Sequence, residues 1–140
     1  MPTHWLMRIS PVIHHAGVVR MNKGIINPWR QIDDHELFMF DNGSAKMVVG
    51  DKEHTFESPW YVVMRPATRH ISYCLSEAVD IYYCHFNWVY AEEFTSPTTV
   101  YAQRDGAIRR VAVAPGFVPR GLMCGKVASR EALELHHRVV

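Results

Sequence analysis

The sequence has no long run of apolar residues, since its longest runs, such as Trp60 to Met64, span only four or five positions. A membrane-spanning helix needs about 20. The first 15 residues also have no apolar core of signal-peptide length, and Pro11 interrupts them. These absences predict a protein that is neither inserted in a membrane nor exported.

Neither sign of charge is in excess, with 15 Lys and Arg against 14 Asp and Glu. The only adjacent basic pair is Arg109 with Arg110, so the chain lacks the basic stripe that neutralises a phosphate backbone. DNA binding by these residues themselves is therefore disfavoured. Cysteine is scarce as well: three residues, without a CxxC spacing, fit a reducing compartment. We expect a cytoplasmic location.

What the chain does contain is enough for one core. Its 140 residues correspond to one domain, and 48% hydrophobic with 21% charged residues is typical of a folded soluble protein. Turn signals recur every eight to twelve residues, which is typical of a β-sandwich or barrel. Short apolar runs, β-branched and aromatic content and alternating faces predict strands at residues 36–40, 45–49, 52–56, 60–64, 70–74, 79–88 and 107–114.

Two of the turns predict hairpins. Asn42-Gly43 is a strong hairpin dipeptide and should pair the strand before it with the strand after it. Gly50-Asp51 should do the same for the next pair. Only the last residues change pattern, where Ser129 is a good N-cap for a helix over 129–138. That helix has no C-terminal cap, so we expect the chain to be the front part of a longer protein.

Several segments carry a family resemblance when taken in order: 30–40 (RQIDDHELFMF), the turn at 41–43, 47–56 (MVVGDKEHTF), 64–70 (MRPATRH) and 82–88 (YYCHFNW). Together they resemble the N-terminal ligand-binding domain of AraC-type transcriptional regulators, over residues 16 to 90. The resemblance implies a mostly β fold, a cupin-like double-stranded β-barrel or jelly roll, followed by a C-terminal α-helix.

The resemblance also implies an organisation and partners. Residues 1–140 would form a single sensor and dimerisation domain, with an N-terminal arm (1–20) able to close over the ligand, a barrel (21–120) and the start of a helical region (128–140). A small-molecule effector would enter the barrel, and a homodimer would form through the helix. DNA would be bound only by a C-terminal helix-turn-helix domain that is absent from this chain.

Five residues are the candidate ligand contacts. Arg30 stands near a ligand-contacting arginine of the family, and a guanidinium reads carboxylates or vicinal hydroxyls through its planar fork. His70 stands where relatives place a pocket histidine, and Tyr83 offers a flat ring on the same strand face as His85. Glu36, on the leading strand, completes the set. The ligand is expected to be sugar-like or a carboxylate, with no catalytic residue and no cofactor.

Two alternatives stay open. Nine histidines raise the possibility of a metal-dependent cupin enzyme, a dioxygenase or isomerase, but no His-x-His pair exists, and a site built from His54, His70 and His85 would need three strands to converge. The second alternative is a ligand-free dimerisation barrel, because seven methionines and sixteen aromatic residues could fill a small interior.

Overall fold

The computed structural model describes residues 10–89, 99–101 and 122–127. These residues form eight strands: β1 (Val12–Ile32), β2 (His35–Asp41), β3 (Ser44–Val49), β4 (Lys52–Glu57), β5 (Trp60–Met64), β6 (His70–Asn87), β7 (Thr99–Tyr101) and β8 (Met123–Lys126). The predicted mostly β fold is confirmed. The predicted strand at 107–114 and helix at 129–138 lie outside the described residues. No described helix is long and apolar enough to cross a membrane.

Strand β6 organises the sheet. β1 pairs with it along one side, while β3 and β2 lie one after the other along its opposite side. β4 then pairs with β3, β5 with β2, and β8 with β5, all antiparallel. β7 pairs with the last residues of β1. The result is one curled antiparallel sheet that forms half of a barrel.

The expected hairpin at Asn42-Gly43 is wrong, because β2 and β3 both pair with β6 and do not pair with each other. Asn42 takes the left-handed φ of 52°. A Cβ on Gly43 would lie 2.2 Å from the Ala78 carbonyl oxygen of β6. The dipeptide therefore forms a bend that keeps the chain in contact with β6. Only glycine fits at position 43 because of this close approach. The hairpin at Gly50-Asp51 is confirmed, with Val49 opposite Lys52.

Two strand boundaries differ from the predictions. The strands expected at 70–74 and 79–88 are one continuous strand, β6, and the arm expected over residues 1–20 contains the first part of β1. β1 continues through Asn22 and Gly24 with a register shift between these positions. Such bulges bend a strand without ending it.

A short connection shows how strongly the sheet curls. Residues 33–34 join the end of β1, where Arg30 pairs with His70, to the start of β2, where His35 pairs with Phe86. His70 and Phe86 lie at opposite ends of β6, and a straight strand would separate them by roughly 50 Å at about 3.3 Å per residue. The five extended peptide steps from Arg30 to His35 span at most about 18 Å. β6 must therefore bend until its two ends approach each other.

The inner face of the sheet has an apolar half. Four aromatic rings follow one another across it, with centroids 6.0 Å apart from Phe38 to Phe40, 5.8 Å from Phe40 to Phe56 and 6.0 Å from Phe56 to Trp60. Burying a phenylalanine side chain stabilises a fold by about 1.5–3 kcal/mol. The rest of this cluster is aliphatic or sulfur-containing: Ala45, Met47, Val62, Met64, Cys74, Val79 and Ile81. This half of the interior is filled by its own side chains, and the other half is not.

Candidate functional site

A cavity of about 380 Å³ occupies the unfilled half of the interior. Ligand pockets in proteins commonly measure about 300–1,000 Å³. Four of the five predicted residues line it, and the fifth, His70, lies behind Arg30. The lining residues are His15, Val19, Met21, Ile26, Asn27, Arg30, Glu36, Phe38, Ile81, Tyr83 and His85.

Arg30 is the centre of the cavity floor. Its side chain is only about one-tenth exposed, and its Nε donates to His70 Nε2 at 3.1 Å. Its Nη2 donates to both carboxylate oxygens of Glu36, at 2.9 and 3.0 Å. Arg30 and His70 are direct cross-strand partners of β1 and β6. Strand pairing therefore sets this arginine between a neutral acceptor and a carboxylate.

His70 is held in one tautomer. Its Nδ1 lies 2.8 Å from the carbonyl oxygen of Thr68, which can only accept, so Nδ1 carries the proton and Nε2 accepts from Arg30. Burial lowers the pKa of His70 to about 4, and the nearby Arg30 charge acts in the same direction. At neutral pH this imidazole is an uncharged support that orients the guanidinium.

A second chain of contacts runs from Glu36 through His85 to Asp34. His85 Nδ1 lies 3.0 Å from Asp34 Oδ1, and its Nε2 lies 3.4 Å from Glu36 Oε1. Burial lowers the pKa of His85, but the hydrogen bond to Asp34 and the charges of Glu36 and Asp34 outweigh burial, and the net pKa is raised. Burial raises the pKa of Glu36, against the opposing charges of Arg30 and His85. The floor thus brings two basic side chains, Arg30 and His85, against two acidic ones, Glu36 and Asp34.

The wall towards the cavity rim combines rings and hydroxyls. Tyr83 lies opposite Gly17 of β1, and a Cβ on Gly17 would come within 2.6 Å of the tyrosine oxygen. The hydroxyl is 3.1 Å from Nε2 of His15. The Tyr83 ring also meets His85 edge to face, with centroids 6.2 Å apart. This wall can stack on a flat ligand and hydrogen-bond to it.

Several solved structures resemble this fold. The DMSP lyase DddQ from Ruegeria pomeroyi DSS-3 aligns with a TM-score of 0.51 and 15% identity, over 76% of this chain and 58% of that one. The fold is cupin-like. ToxT from Vibrio cholerae strain SCE256, an AraC-family regulator solved with an unsaturated fatty acid, aligns at 0.44 and 21% identity, over 53% of this chain and 29% of that one. Hazelnut (Corylus avellana) vicilin aligns with a TM-score of 0.48 and 13% identity, over 61% of this chain and 25% of that one.

Sequence comparisons add nothing to this. No protein-family model matches the chain. No curated protein matches it either. The chain spans less than two thirds of the length of the DddQ and ToxT chains. At these identities the structural likeness establishes the cupin-like fold alone.

A metal centre would need a convergent set of ligands in this cupin-like barrel. Within residues 10–89, 99–101 and 122–127, no group of three or more His, Cys, Asp or Glu side chains is arranged to hold a metal ion. His54 lies on β4, where its ring stacks on Phe56 at 6.3 Å. His70 and Glu36 both accept from Arg30, so a guanidinium stands between these two groups.

Sequence reasoning missed Asp34 and His15. Asp34 belongs to the connection before β2, and it lies two residues before Glu36, the spacing that places side chains on one face of an extended chain. His15 lies opposite His85, which in turn lies opposite Glu36. The spacing was the available signal for Asp34, whereas no local signal placed His15 beside β6.

Proposed function

We propose that this chain is the effector-binding domain of an AraC-type transcription regulator, with a small molecule bound in the cavity. The observation that carries this proposal is the cavity floor, where a buried network centred on Arg30 faces an unfilled volume of about 380 Å³. DNA would be recognised by a C-terminal domain outside these 140 residues, as the sequence motifs imply. The protein would not be an enzyme.

The energetics of the network support a binding role. Arg30 and Glu36 are 8% and 2% exposed. Replacing a buried ion pair by well-packed apolar residues is often neutral or stabilising, so a buried pair is weak evidence for stability. Perturbed ionisable groups in a cleft are candidates for a functional site. An apolar cavity floor would stabilise the barrel equally well. The buried charged groups are therefore better suited to binding and orienting a ligand.

The cavity offers complementary groups for a sugar-like ligand or a small carboxylate. Arg30 and His85 present donors, Glu36 presents an acceptor, and Tyr83 offers both a ring and a hydroxyl. Phe38 and other apolar residues supply contact area. A small ligand with polar groups at one end and an apolar or ring-shaped body satisfies this set.

The metal-dependent cupin enzyme is the second candidate, and DddQ gives the fold precedent of a lyase. Arg30 counts against it in this chain. A cation already donates to His70 Nε2 and to both oxygens of Glu36, the atoms that a metal would need. Elemental analysis finding one Fe, Mn or Zn per chain after purification without added metal would favour the enzyme.

The homodimer, which the family resemblance assigns to residues 128–140, and the cytoplasmic location belong to the same proposal. Size-exclusion chromatography with light scattering tests the first. A dimer that becomes a monomer on truncation after Val127 supports the helical contact, and a monomer at all concentrations contradicts it.

A cavity-filling variant tests the binding site itself. Val19 lines the rim and is 38% exposed, so Val19→Trp should occupy the cavity without touching the polar floor. Its neighbour Val18 is 57% exposed on the opposite face of β1, which makes Val18→Trp the matched control. In a thermal-shift screen of sugars and small carboxylates, hits should raise Tm of wild type and Val18→Trp but not of Val19→Trp. A screen without such a hit contradicts the proposal.

A further inference from the structure

The Glu36 carboxylate occupies the position that a ligand carboxylate would take. Both of its oxygens accept from Nη2 of Arg30, at 2.9 and 3.0 Å, and Oε1 lies 3.4 Å from Nε2 of His85. These two residues are the cations of the cavity floor. A carboxylate is the natural partner of a guanidinium fork. The chain supplies that partner itself, from a position two residues beyond Asp34.

The charge balance of the floor leaves nothing for a second anion. Arg30 and His85 are matched by Glu36 and Asp34, and Asp34 Oδ1 already lies 3.0 Å from His85 Nδ1. Two carboxylates a few ångströms apart in a buried site cannot both stay ionised without a further cation. Among the other polar residues of the lining, Tyr83 and Asn27 offer no cationic group, and His15 Nε2 lies 3.1 Å from the Tyr83 hydroxyl. An anionic ligand would therefore meet Glu36 uncompensated.

A neutral hydroxyl fits the same floor. It can donate to a free lone pair of Glu36 and accept from Nη1 of Arg30, which makes no hydrogen bond within the part of the chain that the structure describes. Neither contact requires Glu36 or Arg30 to lose its present partner. The arrangement distinguishes ligands by charge before it distinguishes them by shape.

We infer that Glu36 is a built-in carboxylate that sets the charge selectivity of the cavity: it excludes carboxylate ligands while it is ionised, and the cavity then takes neutral, hydroxyl-bearing molecules. This inference rests on the proposed function and narrows its ligand class. It assigns Glu36 a role as a specificity determinant whose removal converts the floor into a carboxylate receptor.

Acidification should change the charge selectivity of the cavity in the same direction as removal of the Glu36 carboxylate. The groups that face Glu36 are Arg30 from β1, His85 from β6 and Asp34 from the connection before β2. Burial raises the pKa of Glu36 despite the charges of Arg30 and His85, and the net pKa of His85 is also raised. Acidification therefore favours the neutral form of Glu36 and weakens the exclusion in the wild-type protein.

Chemical rescue tests the inference without knowledge of the natural ligand. Glu36→Ala leaves a space of carboxylate size beside Arg30, and sodium acetate at up to 50 mM is the probe. Acetate at pH 7.5 should raise Tm of Glu36→Ala by several degrees in a saturable manner, and acetamide, its neutral isostere, should not. Wild type should respond to neither. The control is Glu53→Ala, which removes an exposed carboxylate 3.4 Å from Lys46 and should show no rescue.

The outcomes separate the two proposals. Equal responses of wild type and Glu36→Ala to acetate, or no response of either, overturn the inference. If Glu36→Ala does not fold, Glu36→Gln replaces it with benzoate as the probe, and binding at least tenfold tighter than to wild type is required. If acetate stabilises Glu36→Ala but the screen yields no compound whose effect is lost in Val19→Trp, the proposed function is overturned and the inference about Glu36 stands. If the screen yields such a compound but acetate does not stabilise Glu36→Ala, the inference is overturned and the proposed function stands.

Discussion

Arg30 donates through one nitrogen to both oxygens of Glu36, although the two residues belong to strands that pair with opposite ends of β6. Arg30 lies opposite His70, and Glu36 lies opposite His85. Their contact across the curled sheet therefore joins the two ends of one strand. The interaction that builds the cavity floor is also one that holds the half-barrel in its curl, so the site and the fold are not independent.

Removing one member of the Arg30–Glu36 ion pair should lower the free energy of unfolding. Arg30→Met leaves Glu36 buried without its cation, and removing one partner of a buried ion pair costs about 3–5 kcal/mol. The double variant Arg30→Met, Glu36→Leu should recover most of that loss. Urea unfolding of the two single variants and the double variant gives the coupling energy.

The exposed pair of Arg20 with Asp80 is the control. Its atoms are as close, at 2.7 Å, but Arg20 is 61% exposed, and exposed pairs contribute about 0–1 kcal/mol. Arg20→Met should therefore change the free energy of unfolding by less than about 1 kcal/mol. A loss at Arg30 no larger than the loss at Arg20 would show that the floor is not held by this contact.

Gly43, in the bend between β2 and β3, should not accept a side chain. A Cβ on Gly43 would meet the Ala78 carbonyl oxygen at 2.2 Å, which is backbone and cannot rotate away. We expect Gly43→Ala to cost at least about 2 kcal/mol, as backbone shifts in a packed region do. Gly50→Asn is the comparison, because Gly50 has open space and a φ of 61° that asparagine tolerates. Equal unfolding free energies for the two variants would contradict the close approach.

Much of the sheet could be predicted locally. Residues 60–64 match β5, residues 45–49 and 52–56 match β3 and β4 to within one residue at each end, and the hairpin between them depends only on Gly50-Asp51. Partners that lie far apart in sequence could not be predicted in this way. Asn42-Gly43 has the composition of a hairpin turn, but the strands on either side of it, β2 and β3, both pair with β6. β6 lies some 30 to 45 residues further along the chain.

The five candidate residues were chosen separately, and the structure brings them together, four on the lining and His70 behind Arg30. Their ligand role stays a prediction. What sequence could not provide is the internal pairing of Arg30 with Glu36, because it follows from the curl of β6 and not from any local spacing. The charge selectivity inferred for the cavity depends on that pairing.

His70 and His35 should each contribute a loss of stability as the solution becomes acidic. Burial lowers the pKa of His70 and of His35 to about 4, from an ordinary value of 6.5. A depressed folded-state pKa means that the unfolded chain binds the proton first, so stability present above pH 6.5 is lost as pH falls towards 4. At about 1.4 kcal/mol per pKa unit, each histidine contributes on the order of 2–3 kcal/mol to this loss. Urea midpoints between pH 7.5 and 4 measure it.

His35 allows the two contributions to be separated. Its ring is fully buried on the face of β2 opposite Glu36, and neither nitrogen makes a hydrogen bond within the described residues, although the Asn87 amide partly opposes the lowering of its pKa. His35→Leu removes a buried polar group without a partner, so stability at pH 7.5 should be equal or higher. Its acid loss should be smaller than that of wild type. An unchanged pH profile would show that His35 does not titrate as proposed.

An NMR titration tests whether a small molecule binds on the Arg30 floor. The protein is labelled with ¹⁵N at its arginine and histidine side chains, and the ligand is a compound that raises Tm of wild type and Val18→Trp but not of Val19→Trp. We expect saturable shifts of the Arg30 Nε–H and His85 ring signals in wild type and Val18→Trp, and none in Val19→Trp. Saturable binding that leaves the Arg30 and His85 signals unmoved would contradict it.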